Sequence, residues 1–335
     1  MSRGALNLAG LSPGRRHARL SVKRRRATLF EGRGSMALTM TSLDRTFGVR
    51  ITGKRIPDFT DDEWQTVMDA FHDHAALVLP EQFLTADEHI AFAEGFGDIE
   101  YLRPGEKAIP VSNQHADGKI MTPEEKRYQT LRGNEGWHTD SSYMPLASKA
   151  SALAAEVVPA EGGETEFADM RAAYDALDAA TKAEIADLSA YHSLYKSQAK
   201  AGFTFKTGEA YGYHTEGAPL RPLVKVHPVT GRPSLFIGRH AYRIPGMEDA
   251  DAAALLDRLL TDACQMPRTY RHQWRPGDIV IWDNRCVLHR ACPYDYDQPR
   301  VMRHVRVAGD PASELALVTT PDELANGFAP ARSGA

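Results

Sequence analysis

The chain has 335 residues, of which 42% are hydrophobic and 25% are charged, so it can bury a large core as one big domain or two ordinary ones. No apolar stretch reaches the about 18 residues of a membrane span, which argues against an integral membrane protein. Its three cysteines form neither a paired framework nor a C-x-x-C motif, so we expect a reducing compartment, the cytoplasm, rather than secretion.

Basic charge is concentrated at the N-terminus. Residues 1–35 contain nine Lys or Arg and one acid, Glu31, whereas the remainder is acidic. An organelle transit peptide or a nucleic-acid-binding arm has this composition, but the segment shows no amphipathic apolar face, which favours a disordered extension or an upstream start codon ahead of Met36 or Met40. Because the remainder is acidic, we expect neither a nucleic-acid nor a membrane partner. The predicted regions are a basic extension over 1–40, a single domain over 41–318 and a tail over 319–335.

The first third of the predicted domain alternates strands with helices. Strands are indicated by alternation of apolar and polar residues, and helices by capping boxes that begin with a threonine. In chain order the predicted elements are a strand over Phe47–Thr52, a helix from Thr60 to about His74, a strand over Ala75–Leu79, a helix from Thr85 to near Gly95 and a strand over Ile109–Ser112.

The remainder of the domain is mainly strand-like. In chain order it predicts a strand over Ser151–Val158, a helix capped by Asp169 and running through Leu177, a helix over Ala180–Leu188, strands over Leu223–His227 and Ser234–Ile237, a helix over Met247–Cys264, and strands over Thr269–Trp274, Asp278–Trp282 and Arg300–Ala308. Many short strands with helices at one side predict an α+β, mainly β fold, a β-sandwich or jelly roll flanked by helices.

Two separate stretches offer metal-ligating side chains. In an extended segment residues i and i+2 point to the same side, so His138 and Asp140 can reach one ion together. An isolated H-x-D tripeptide is usually an ordinary surface or core pair. With His289 downstream, however, the set contains two imidazoles and one carboxylate, which suits a non-haem ferrous iron centre that keeps positions open for a co-substrate and oxygen.

A basic strand follows the second stretch. Period-two alternation places Arg300, Met302, His304 and Arg306 on one face of the last predicted strand. A guanidinium binds a carboxylate through two parallel hydrogen bonds, so this face is suited to an acidic small molecule. The alternative is a solvated basic edge strand.

Four separated motifs together resemble those of the taurine and chlorophenoxyacetate dioxygenase family, over roughly Thr41 to Asp310. They are Trp137-His138-x-Asp140, Gly162-Gly163-x-Thr165, the Trp282-Asp283-Asn284 run that leads to His289, and Arg300 eleven residues after that histidine.

The resemblance implies a double-stranded β-helix, or jelly roll, that often forms homo-oligomers. It implies that His138, Asp140 and His289 ligate Fe²⁺ and that Thr165 and Arg300 contact 2-oxoglutarate. It further implies a hydroxylation of a small anionic substrate that consumes O2 and 2-oxoglutarate and yields succinate and CO2.

Longer sequence segments indicate which substrate class within the family this chain resembles. The sulfonate-using branch of the family has an arginine fifteen residues after the distal histidine, where this chain has His304. Ala155–Ala160, Phe167–Leu177 and Ile237–Ala241 are similar to the phenoxypropionate (aryloxyalkanoate) dioxygenases, which implies ether cleavage to a phenol and a keto acid. The alternatives are a sulfonate or alkylsulfate dioxygenase, a biosynthetic hydroxylase of an amino-acid-like carboxylate, and a non-catalytic binding module.

Several side chains are candidates for contact with the substrate. The basic candidates are Arg306 and His304 on the strand face and Arg103 and Lys107 in the loop after the second helix, and the others are Asn134 and Tyr143. Each has a simpler interpretation as a surface charge, a loop-capping amide or a core aromatic. Residues 196–219, rich in Gly, Lys and Tyr, are interpreted as a mobile lid, and His214, His227 and His240 as structural histidines.

Overall fold

The computed structural model describes residues 37–319. The basic N-terminal segment and residues 320–335 lie outside the described part of the chain, and the division into extension, domain and tail stays a prediction. Within the described residues no helix is both long and apolar enough to cross a bilayer.

Side-chain caps begin most of the helices. Thr60 and Thr85 both form capping boxes, with Glu63 and Glu88 respectively. Over residues 37–319 the α-helices are α1 (Asp61–His74), α2 (Ala86–Glu94), α3 (Lys126–Gly133), α4 (Met170–Ala176), α5 (Ala179–Ile185), α6 (Leu194–Lys200), α7 (Asp249–Ala263) and α8 (Pro311–Glu314), with a 3-10 turn at Ile56–Asp58.

Sixteen strands are present in the described residues, and most are five residues long or shorter. They are β1 (Thr39–Ser42), β2 (Val49–Thr52), β3 (Ala76–Leu79), β4 (Ala108–Ser112), β5 (Ser148–Val157), β6 (Thr165–Asp169), β7 (Ser189–His192), β8 (Pro219–Pro222), β9 (Val224–Val226), β10 (Pro233–Leu235), β11 (Ala241–Tyr242), β12 (Thr269–His272), β13 (Ile279–Asp283), β14 (Val287–Ala291), β15 (Val301–Ala308) and β16 (Val318–Thr319).

One large sheet and smaller sheets enclose the core. The large sheet has the order β1-β2-β3-β13-β5-β15-β4, and a three-stranded sheet has the order β12-β6-β14. A third sheet, β11-β7-β8-β16, and the β9–β10 hairpin complete the strands. Phe167 and Val287 of the three-stranded sheet share one buried cluster with Val280, Trp282 and Met302 of the large sheet. Two sheets packed face to face around such a core form the predicted jelly roll.

Helices cover the outer face of the large sheet, also as predicted. Phe71 of α1 and Phe92 of α2 pack with Ile279 and Ile281 of β13 in a buried cluster. Trp64 of α1 meets the ring of Phe92 edge-on, with 5.8 Å between ring centroids. These helices therefore bury the outer face of the large sheet in an apolar layer.

The register of the large sheet lines up three side chains that matter for function. Ser151 on β5 pairs with Trp282 on β13 and with Arg306 on β15. Directly paired residues project to the same face of a sheet, so these three form one row on the inner face. His304, two residues before Arg306, lies on the same face, as alternation predicts.

Every predicted helix and strand corresponds to an observed element, with ends that differ by a few residues. The prediction omitted β1, β6, β7, β8, β11, β14, β16, α3, α6 and α8. The interpretation of residues 196–219 as a lid needs one structural correction. Its first turn belongs to α6, a helix that begins at Leu194 and is capped by Ser193.

We expect Thr60→Ala to lower the free energy of unfolding by about 1 kcal/mol, because it removes the side-chain acceptor that caps α1. Urea denaturation measures the change. Thr66→Ala is the matched control, since Thr66 is an exposed residue inside the same helix, where alanine has the higher helix propensity. An equal loss in both variants would contradict the capping role of Thr60.

Candidate active site

A two-way backbone bridge places the two predicted histidine ligands side by side. His138 N–H donates to the carbonyl of His289 at 2.9 Å, and His289 N–H donates to the carbonyl of His138 at 2.8 Å. The imidazole ring centroids are 4.2 Å apart as a result. His289 belongs to β14, whereas His138 precedes β5, so the bridge joins segments that are far apart in the chain.

The three predicted metal ligands converge. One ligand atom from each of His138, Asp140 and His289 lies within 4.8 Å of the others, and all three residues are buried. Nε2 of His289 is 3.8 Å from Oδ2 of Asp140. Nδ1 of His138 lies 2.8 Å from the carbonyl of Gly136, to which its N–H donates, so its Nε2 keeps a free lone pair.

The donor set fits a ferrous ion. Burial lowers the pKa of His289 to about 4 and lowers the pKa of His138 well below its ordinary value, so both rings are neutral and able to ligate at neutral pH. Two neutral imidazoles and one carboxylate leave three positions of an octahedral ion for other ligands.

Each oxygen of the Asp140 carboxylate has a donor. Arg306 donates to Oδ1 at 2.7 Å, and the hydroxyl of Ser151 donates to Oδ2 at 2.5 Å. Burial alone would raise the pKa of Asp140, but the charge of Arg306 and the nearby His289 hold it below its ordinary value. Asp140 is therefore an oriented anion at neutral pH.

A second cluster of side chains that could ligate a metal uses most of its ligand atoms in hydrogen bonds instead. His72, His227 and Asp283 also lie close together. Nε2 of His227 bonds to Asp283 at 3.0 Å, its Nδ1 accepts from two backbone N–H groups, and Arg285 binds both oxygens of Asp283. No lone pair of His227 is left for an ion, in keeping with its interpretation as a structural histidine.

Arg300 is a buried cation without an acidic partner among the described residues. It is 5% exposed, its Nε donates to the carbonyl of Gly163 at 2.9 Å, and no carboxylate lies within ion-pair distance. Burial lowers the pKa of the guanidinium, and the opposing effects of Tyr294, Tyr296 and Glu164 are smaller. Gly163 has a φ of +71°, and a Cβ there would lie 3.2 Å from the arginine Nε, so the Gly162-Gly163 turn leaves room for this side chain.

Thr165, at the start of β6, is buried as well. Its hydroxyl oxygen accepts a hydrogen bond from the indole N–H of Trp274 at 2.9 Å. That bond leaves the hydroxyl proton available for an acceptor.

The substrate-side candidates divide into two groups. Arg103 and Lys107 are exposed and pair with Glu106 and Glu94 at the surface. Tyr143, His304 and Arg306 lie beside the metal-ligand group, and the backbone of Asn134 bonds to β14, the strand that carries His289. Arg306 is bonded to Asp140 and lies 3.9 Å from Glu100, and Nε2 of His304 is 3.6 Å from Asp140. Tyr143 is buried against His240, and the carbonyl of Asn134 accepts from the N–H of Ala291.

Sequence reasoning missed three neighbours of the site. His240 lies edge-on to His138, with 5.7 Å between centroids, and its Nδ1 is 2.8 Å from the hydroxyl of Ser197 on α6. Glu100 and Tyr211 form a hydrogen bond beside Arg306. No local pattern marks these residues, because each reaches the site through long-range packing.

Comparison with protein families matches residues 39–307 to the family described as taurine catabolism dioxygenase TauD, TfdA family. The chain is 49% identical over 289 residues to the (S)-phenoxypropionate/alpha-ketoglutarate-dioxygenase of Sphingobium herbicidovorans, covering 84% of this chain and 99% of the relative. It is 38% identical to the alpha-ketoglutarate-dependent 2,4-dichlorophenoxyacetate dioxygenase of Cupriavidus pinatubonensis, covering 70% of this chain and 85% of the relative.

A solved structure agrees with these relatives. The crystal structure of AAD-2 in complex with Mn(II) and N-oxalylglycine superposes with a TM-score of 0.76 at 39% identity, covering 86% of this chain and 99% of the other. Fold, family and cofactor class thus agree with the expectation from the motifs. The chain belongs to the taurine catabolism dioxygenase TauD, TfdA family, and it is a dioxygenase that uses Fe²⁺, 2-oxoglutarate and O2.

Proposed function

We propose that the enzyme hydroxylates an aryloxyalkanoate, an ether acid of the (S)-2-phenoxypropionate type, and that the product falls apart to a phenol and a keto acid. The relatives from Sphingobium and Cupriavidus, both named for ether acids, support this substrate class at 49% and 38% identity. The enantiomer is taken from the name of the more similar relative.

In this proposal His138, Asp140 and His289 hold the iron. The observation that carries it is the convergence of three buried ligand atoms within 4.8 Å of one another. When bound, iron and 2-oxoglutarate activate O2, with one oxygen atom going to succinate and the other to the substrate. The protein orients the reactants and keeps water out of a site whose ligands are all buried.

Arg300 and Thr165 bind 2-oxoglutarate in this proposal. A buried guanidinium without an acidic partner is costly unless a ligand supplies the anion, and a carboxylate of 2-oxoglutarate meets that need. The hydroxyl proton of Thr165, which its bond with Trp274 leaves free, can be donated to the same co-substrate.

The products follow from where the hydroxyl is added. Hydroxylation at the carbon that bears the ether oxygen gives a hemiketal. That compound collapses as its C–O bond to the aryl oxygen breaks, the hydroxyl proton is lost and the phenol leaves. For a 2-phenoxypropionate the remaining fragment is pyruvate, and one succinate and one CO2 form for each phenol released.

Among the substrate-side candidates, Tyr143 and Asn134 fit this role best. The Tyr143 ring packs against His240, which lies edge-on to His138, and the backbone of Asn134 bonds to Ala291, two residues after His289. Arg306 fits it less well, because its guanidinium is already bonded to Asp140.

A substrate panel tests the proposed reaction. With Fe²⁺, 2-oxoglutarate and O2, we expect (S)-2-phenoxypropionate to give phenol and succinate in a 1:1 ratio, and the (R) enantiomer to react at least about tenfold more slowly. Both products are quantified by liquid chromatography. Sulfite or sulfate release from alkylsulfonates or alkylsulfates, with no phenol from ether acids, would contradict the substrate class and leave the cofactor chemistry in place.

His138→Ala should abolish product formation and weaken Co²⁺ binding by at least about 100-fold, because it removes one of three ligands. Isothermal titration measures the affinity. His115→Ala is the control, since His115 is a surface histidine paired with Glu125. Unchanged Co²⁺ affinity in the His138 variant would contradict the proposed metal site.

Arg300→Gln should raise the KM for 2-oxoglutarate by about 100-fold while the KM for the ether acid changes little, because a charge-assisted carboxylate contact is lost. Succinate formation at varied 2-oxoglutarate measures this split. Arg258→Gln, which removes a surface arginine paired with Glu184, provides the baseline. A rise confined to the KM for the ether acid would reassign Arg300 to the substrate.

A further inference from the structure

Glu100 is a buried carboxylate next to the metal-ligand group that the proposed chemistry does not use. It follows an isolated bridge between Ile99 and Val307, and its backbone N–H donates to the carbonyl of Arg306 at 2.8 Å. The backbone therefore fixes Glu100 beside the arginine that binds Asp140.

Every polar side chain that contacts Glu100 is a donor. The hydroxyls of Tyr211 and Ser141 both donate to Oε1, Ser141 at 2.7 Å, and Nε of Arg306 lies 3.9 Å from Oε2. The Ser141 oxygen itself accepts from Arg306 at 2.8 Å, so its proton is free for Glu100. Burial raises the pKa of the Glu100 carboxyl, and Arg306, Tyr211 and Ser141 act against that increase. An environment made only of donors suits a carboxylate.

The charges form an alternating row. Arg306 lies between Asp140 at 2.7 Å and Glu100 at 3.9 Å. With Asp140 alone, the guanidinium would cancel the charge of the metal ligand. With Glu100 present, the three side chains together carry one negative charge, which favours a divalent cation in a site of low dielectric.

The same carboxylate also holds the segment between α6 and β8, residues 201–218. Tyr211 comes from this segment, whose Phe205 and Tyr213 form a small buried cluster with Tyr143 and Leu194. Tyr211 lies 6.4 Å from Tyr143, ring centroid to centroid. The hydroxyl of Tyr211 forms hydrogen bonds with Glu100 and Ser141. These bonds connect residues 201–218 to Arg306 and, through it, to Asp140.

We propose that Glu100 is a positioning residue with two tasks: it balances the charge of Arg306 so that Asp140, Arg306 and Glu100 together keep a net negative charge beside the metal, and it anchors residues 201–218 over the site through Tyr211. The inference rests on the proposed metal-binding role of Asp140. Glu100 touches neither the metal nor the reacting atoms, so it acts through Arg306 and Ser141.

Metal affinity tests the first task. Glu100→Gln keeps the size and an acceptor oxygen but removes the charge, and we expect Co²⁺ to bind about tenfold more weakly by isothermal titration. Glu106→Gln is the matched control, since Glu106 is an exposed glutamate in the loop that follows Glu100 and pairs with exposed Arg103. Ser141→Ala, which breaks the link between Arg306 and Glu100, should weaken Co²⁺ binding about threefold.

Limited proteolysis tests the second task. Tyr211→Phe should leave Co²⁺ affinity within twofold of the wild type but speed trypsin cleavage after exposed Lys206 at least threefold, because the tie to Glu100 is lost. Tyr270→Phe is the control, since that hydroxyl bonds His272, outside residues 201–218.

The outcomes separate the two claims. If the wild-type protein binds no Co²⁺, the proposed function itself fails. If the wild type binds Co²⁺ and both Glu100→Gln and Ser141→Ala bind it equally well, the inference about Glu100 is overturned. If trypsin cleaves Tyr211→Phe after Lys206 at the wild-type rate, the proposal that Glu100 anchors residues 201–218 is overturned.

Discussion

The site depends on the pair of backbone hydrogen bonds between His138 and His289. Each residue donates to the other, so the two backbones cannot separate without breaking both bonds. β14 brings His289 from the three-stranded sheet, and the chain that follows His138 leads into β5 of the large sheet. The bridge thus connects the two layers of the jelly roll at the place where the ligands meet, and Asp140, in the turn that follows His138, completes the group.

The polar groups around this bridge follow one electrostatic rule. A buried charge is tolerated when it is paired or when a ligand completes it. Asp140 is paired with Arg306, and Asp283 with Arg285. Arg300 has no acid partner among the described residues, and the histidine pair is neutral with lone pairs available. Arg300, which lacks an acidic partner among the described residues, is therefore proposed to bind the co-substrate. The two histidines, whose lone pairs are available, are proposed to bind the metal.

The fold class and the convergence of the three proposed ligands could be predicted from the sequence, but the surroundings of these ligands could not. Alternation put Arg306 on the inner face, because β15 is a strand, whereas Asp140 meets His138 from a turn. Which side chain Arg306 contacts depends on the register between β5 and β15, and no local pattern encodes that register. The sequence therefore offered Arg306 as a substrate contact and did not indicate its bond to Asp140. Glu100 was missed for the same reason, and α6 because its short sequence lacks a clear apolar period.

The most direct measurement of the central claim is an anomalous-difference map from a crystal of the protein grown with Mn²⁺. The proposed metal site predicts one strong peak within coordination distance of His138, Asp140 and His289, with Arg306 still bonded to Oδ1 of Asp140. A peak at His72, His227 and Asp283, or no peak at the His138 group at saturating Mn²⁺, would contradict it.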